Sequence, residues 1–72
     1  MNDTYEKLAN AIILQAVKDY RDALKRLKKH PQSETASAAK REVERFFRSD
    51  WYMTLTTVDP EMLIIKLKEE VM

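Results

Sequence analysis

The chain contains no glycine, no cysteine, a single histidine and two prolines. Without cysteine there is no disulfide framework and no thiolate zinc site, and one histidine leaves little for an imidazole site. No metal and no cofactor is therefore expected. Without glycine, a Gly-rich loop presenting backbone amides to a phosphate is disfavoured, and hairpin turns that want positive φ lose their usual residue. Both absences favour helices closed by side-chain caps and proline stops. Long apolar runs are missing as well. The longest, Ala11 to Leu14, is far below the ~18 residues that a membrane span needs. Asp3 and Glu6 stand where a secretory signal would carry positive charge. We therefore expect a cytoplasmic protein with no membrane partner. An excess of one charge sign is also lacking: 13 Lys and Arg face 12 Asp and Glu, for a net charge of +1. That balance does not draw the whole molecule to nucleic acid or to an anionic membrane.

What is present is a folded composition, 44% hydrophobic and 35% charged, over 72 residues, the size of one domain spanning 1–72. A chain this short buries only about 60% of the surface that its unfolded form exposes, so its stability margin is thin. Small domains find help in disulfides, a metal or a partner, and here a partner surface is the help that remains, unless long, well-packed helices suffice alone.

The pattern reads as all-α, a small bundle of four helices. Apolar residues recur at Tyr5, Leu8, Ala9, Ile12, Ile13, Ala16, Val17, Tyr20, Leu24 and Leu27, a 3-4 spacing that predicts one long amphipathic helix over about 4–29. Asp3 and Glu6 have capping-box spacing at its start. Lys25, Arg26, Lys28 and Lys29 complement the helix dipole at its end, and Pro31 pushes His30 out of helical geometry. Ser33 caps a second helix, about 34–48, whose apolar face runs from small (Ala36, Ala39) to large (Phe46, Phe47). Its early half is expected to lie close on the first helix. Ser49 caps a short helix over about 50–55. Asp59-Pro60-Glu61 starts the last, about 60–71, with Asp as cap and Pro in the first helical position.

Catalytic chemistry finds few residues. His30 sits in a turn beside a proline with no evident orienting partner, as a general base would need. The carboxylate pairs Glu42/Glu44 and Glu69/Glu70 are not spaced to face each other on a helix and read as solvated faces. No enzyme is expected.

Two basic stripes are the sharper signal. Lys18, Arg21, Lys25, Lys28 and Lys29 follow helical spacing on the first helix, away from its apolar face, and Arg41, Arg45 and Arg48 do so on the second. Stripes of this kind lie along phosphates, so an accessory nucleic-acid binder is one reading. Asp19 and Asp22 interleave the first stripe, Asp22 placed to pair with Lys18 and Arg26, and Glu44 sits within reach of Lys40, Arg41 and Arg48. That neutralisation weakens the nucleic-acid reading and favours a solvated surface. A third reading, a sponge for an anionic nucleotide, would need arginines and aromatics converging on one pocket.

Phe46, Phe47, Trp51 and Tyr52 fall within seven residues of a chain that has one Trp, three Tyr and two Phe. Such a cluster marks the core where a helix turns, and Phe46 or Phe47 is expected inside. For Trp51, core and surface both stand open. Exposed, with Arg48 nearby, it makes an anchor for a protein partner, together with Arg45 and Tyr52. Ile12 with Ile13, Ala16 with Val17, and Ile64 with Ile65 widen their helices' apolar faces beyond one stripe. A homodimer through antiparallel first helices is the simplest cover for that surplus. The leading reading is a non-enzymatic interaction protein with a protein partner, itself included.

One resemblance supports that reading. Phe46-Phe47, Ser49-Asp50-Trp51, Leu55-Thr56, Asp59-Pro60-Glu61 and Leu63-Ile64 follow each other over the last third of the chain. The pattern resembles that of small uncharacterised helical proteins encoded in prophages and mobile elements of Gram-positive bacteria, with weaker likeness in AIILQAVKDYRDAL. In such proteins glycine often stands between the Asp and the Glu, where this chain has Pro60. The resemblance implies a compact helical fold and a phage-like origin. It implies no reaction. A host defence complex is the kind of target that such an origin suggests.

Overall fold

The computed structural model describes residues 3–71. It is all-α: α1 Asp3–Lys29, α2 Glu34–Phe47, α3 Asp50–Leu55 and α4 Pro60–Val71, with no strand among the described residues. The cap expected from Asp3 concerns a side chain outside those described.

Each of the other helix starts is held by a side chain, as the sequence predicts. Ser33 Oγ accepts from the Ala36 amide at 3.2 Å. Ser49 Oγ accepts from the Tyr52 amide at 3.2 Å while its hydroxyl donates to the Phe46 carbonyl at 2.6 Å. One serine thus ends α2 and begins α3. Asp59 Oδ1 accepts from the amides of Glu61, at 2.9 Å, and Met62. No described residue has positive φ. The chain leaves α2 through Arg48 (φ −96°, ψ 7°) and α3 through an extended Thr56 (φ −156°, ψ 157°). It turns its corners without any backbone shape that glycine would be needed to supply.

At ~1.5 Å per residue α1 is roughly 40 Å long, close to the 45 Å length of the whole molecule. It is the spine, and α2, α3 and α4 all pack on it. The core is Val17 and Tyr20 of α1, Phe47, Tyr52, and Ile64 and Leu67 of α4, with Ile13, Leu24, Val43, Phe46 and Leu63 packed around it. Phe47 meets Tyr20 and Tyr52 edge to face, with ring centroids 5.7 Å apart in both pairs. Edge-to-face pairs add about 0.5–1.5 kcal/mol beyond the area they bury. Small residues sit where α1 and α2 approach: Ala23 and Ala36 are both buried.

The structure corrects one reading of the carboxylates. Glu42 is exposed, but Glu44 is not on a solvated face. Its carboxylate accepts from Tyr20 Oη at 2.5 Å, pairs with Lys40 at 3.0 Å and lies 4.0 Å from Lys68. Burial alone would raise its pKa, yet these donors and cations hold it below the usual carboxylate value. Tyr20 is pushed the other way, first by burial and then by the carboxylate that it touches. A tyrosine in a core needs a partner for its hydroxyl, and Glu44 supplies it.

Candidate partner-binding surface

The α1–α2 pair has two flanks. On one, α4 packs on α1 and reaches α2 through side chains, Lys68 lying 4.0 Å from Glu44, with Lys40 and Lys68 beside Leu24, Leu27 and Val71. On the other, no helix among the described residues covers the seam. There, near α3, a shallow apolar groove of about 400 Å³ is lined by Ala11, Ile12, Ala16, Val43, Phe46 and Trp51, with Gln15 and Asp19 at its edge.

Trp51 resolves toward the surface: it is 57% exposed. Its ring stands edge-on to Phe46, with centroids 5.5 Å apart, so the indole is steadied on one side and open on the other. Leu8 and Tyr5, farther along α1, are also exposed. A large, partly ordered indole beside an apolar groove has the anatomy of an interface anchor.

The remaining expected contact residues divide. Tyr52 does not belong with Trp51 on the surface. It is 0% exposed, and its hydroxyl donates to the Val58 carbonyl at 2.9 Å. Neighbours in a helix point about 100° apart, so turning Tyr52 into the core turns Trp51 out. Burial, then the nearby Asp59, raises the Tyr52 pKa. Arg48 forms a two-pronged pair with Glu61 of α4, at 2.7 and 3.1 Å, which fastens the corner. Arg45 is exposed and makes no ion pair among the described residues.

The basic stripe of α1 does not remain a free row of cations. Arg21 grips Glu70 of α4 through two bonds of 3.0 and 2.9 Å, and Lys28 donates to the Val71 carbonyl at 2.9 Å. These two residues border α4. Lys18 pairs with Asp22 at 3.4 Å on an exposed face. Lys25, Lys29 and Arg41 are exposed and make no ion pair among the described residues. Hydrogen bonds from Arg21 hold Glu70 below the usual carboxylate pKa, and those from Arg48 do the same for Glu61. His30 is exposed in the turn after α1. No cluster of His, Asp or Glu able to hold a metal ion occurs among the described residues, and no helix there is long and apolar enough to cross a membrane.

No protein-family model, curated protein or solved structure matches the chain. The surface therefore speaks through its own chemistry. Sequence reasoning had Ile12 and Ala16 as apolar surplus but missed Ala11, Gln15, Asp19 and Val43 as groove residues. Their signal was available in part: Ile12, Ala16 and Asp19 recur on one side of α1, next to the stripe that enters the core.

Proposed function

We propose that the chain is a non-enzymatic interaction module that holds a protein partner on the apolar groove beside Trp51. One observation carries this reading: the protein's only tryptophan is 57% exposed, braced by Phe46 and set at the lip of a 400 Å³ apolar groove. Exposed aromatic anchors of this kind concentrate binding energy. A mobile-element origin, suggested by the C-terminal pattern, makes a host protein the natural partner, with a defence component as the special case.

The test is capture from cell lysate with the wild-type chain and Trp51→Ala in parallel, each shown folded by circular dichroism. The reading expects a specific partner retained by the first and lost by the second. Equal capture by both removes Trp51 from the role. Antiparallel self-association is the competing use of the same apolar surplus, since Tyr5 and Leu8 are exposed on α1. Light scattering at micromolar concentration decides it: a mass of 8.5 kDa is the monomer. The nucleic-acid reading is weakened by Arg21 and Lys28, which are engaged with α4. It would require affinity that falls steeply with salt and disappears on charge reversal at Lys25 and Lys29.

A further inference from the structure

The apolar groove does not end at Asp19. A second cleft of about 560 Å³ continues along the seam, and Asp19 and Val43 line both. Its floor is small, with Ala23, Ala36 and Ala39. Its rims carry Asp19, Asp22 and Glu42, with Arg26 as the one cation. The open flank is therefore one channel with two chemistries, apolar beside Trp51 and predominantly acidic beyond Asp19. From Ile12 to Arg26 it follows α1 for roughly 21 Å. Alanines along its floor leave room for a helix backbone to approach.

From this arrangement we infer that the channel seats an amphipathic helix of another protein, about four turns long, apolar at one end and basic at the other. The inference rests on the interaction reading above and specifies the partner's chemistry. The apolar end enters between Ile12, Phe46 and Trp51. Lysines or arginines at the other end meet Asp19, Asp22 and Glu42. Glu42 has no ion pair among the described residues, Asp19 accepts only the neutral Gln15 amide, and Asp22 is engaged by an exposed lysine whose attraction is weak. All three remain open to a cation brought by a partner.

A second copy fits this channel less well. Two antiparallel α1 helices centred on Ile12 bury their apolar turns against each other but set Asp19 opposite Tyr5, not a cation. Centred so that Asp19 meets Arg26, they leave Ile12 and Trp51 uncovered. One symmetric register cannot serve both halves.

The experiment selects a displayed library of peptides about four helical turns long against the full chain. The best peptide is then titrated by the fluorescence of the single tryptophan. The expected winners carry apolar residues at i, i+3, i+4 and i+7 toward one end and Lys or Arg toward the other. Their affinity should fall at least tenfold on the Asp19→Lys, Glu42→Lys double change, with helicity preserved. No enrichment, acidic or extended winners, or indifference to the charge reversal overturns the inference. So does a dimer in solution that the double change dissociates. Lysate capture separates the two levels: a partner lost with Trp51→Ala but kept with the charge reversal leaves the interaction reading standing and removes the basic helix. A partner kept by both variants removes both.

Discussion

The two flanks of the α1–α2 pair come from the same two helices and end differently. Toward α4 they present Val17, Tyr20, Leu24 and Phe47, large side chains that Ile64 and Leu67 meet and bury. Toward the open side they present Ile12, Val43 and Phe46 beside alanines and three carboxylates, and α3 adds the exposed Trp51. Both flanks are apolar at their floor, so hydrophobicity alone does not tell them apart. The presence of a facing helix and the company of charge do. Large residues with a facing helix make core. An apolar floor with no facing helix, rimmed in part by acids, makes a seat.

Substitutions should break that contrast unequally. Phe47→Ala acts on the filled flank and removes the ring against which Tyr20 and Tyr52 pack. Truncating a buried Phe costs about 3–5 kcal/mol, most of the margin of a domain this size. Loss of the cooperative thermal transition by circular dichroism is the expected result.

Tyr20→Phe is gentler. It keeps the ring and deletes the hydroxyl that Glu44 accepts, leaving that carboxylate to Lys40 and Lys68. About 1.5 kcal/mol should be lost, read as a lower urea midpoint at unchanged slope.

The same contact sets a pH dependence. Folding lowers the Glu44 pKa below its unfolded value. Its stabilisation is therefore complete above roughly pH 4.3 and is lost as pH falls through the folded value. Glu61 and Glu70 shift in the same direction and add to the acid limb. Folding raises Tyr20 and Tyr52 instead. Their contribution is complete below about pH 10 and fades as pH rises toward their folded values. Melting temperatures recorded across pH should fall at both ends, and Glu44→Gln should flatten the acid limb.

On the open flank the expected effects on stability are small. Trp51→Ala gives up one edge-on contact with Phe46 and about 1 kcal/mol, with the fold intact. Asp19→Lys should cost about 0.5 kcal/mol or less. A large loss from either would make the open flank core and end the contrast.

How far the sequence could be read follows from how local each feature is. The caps at Ser33, Ser49 and Asp59 are contacts within three residues, so the helix boundaries were legible. Which of Trp51 and Tyr52 turns inward depends on how the six-residue α3 is tilted across α1, and nothing within α3 states it. Arg48 with Glu61 and Arg21 with Glu70 join positions 13 and 49 apart. Spacing along each helix suggested two stripes, while tertiary packing gave Arg21, Lys28 and Arg48 partners on α4. Ile64 and Ile65 make the same point: adjacent and chemically identical, one is buried and the other 56% exposed. Glu44 was the readable miss, since it lies three residues before Phe47 on the face that carries the core.

The most direct test of the contrast uses the emission of Trp51, the only tryptophan in the chain. In the free, folded protein the account predicts a red-shifted maximum and efficient quenching by acrylamide, followed by a blue shift and protection when the selected basic helix is added. A blue, protected indole in the free monomer would place Trp51 in the core and contradict the account.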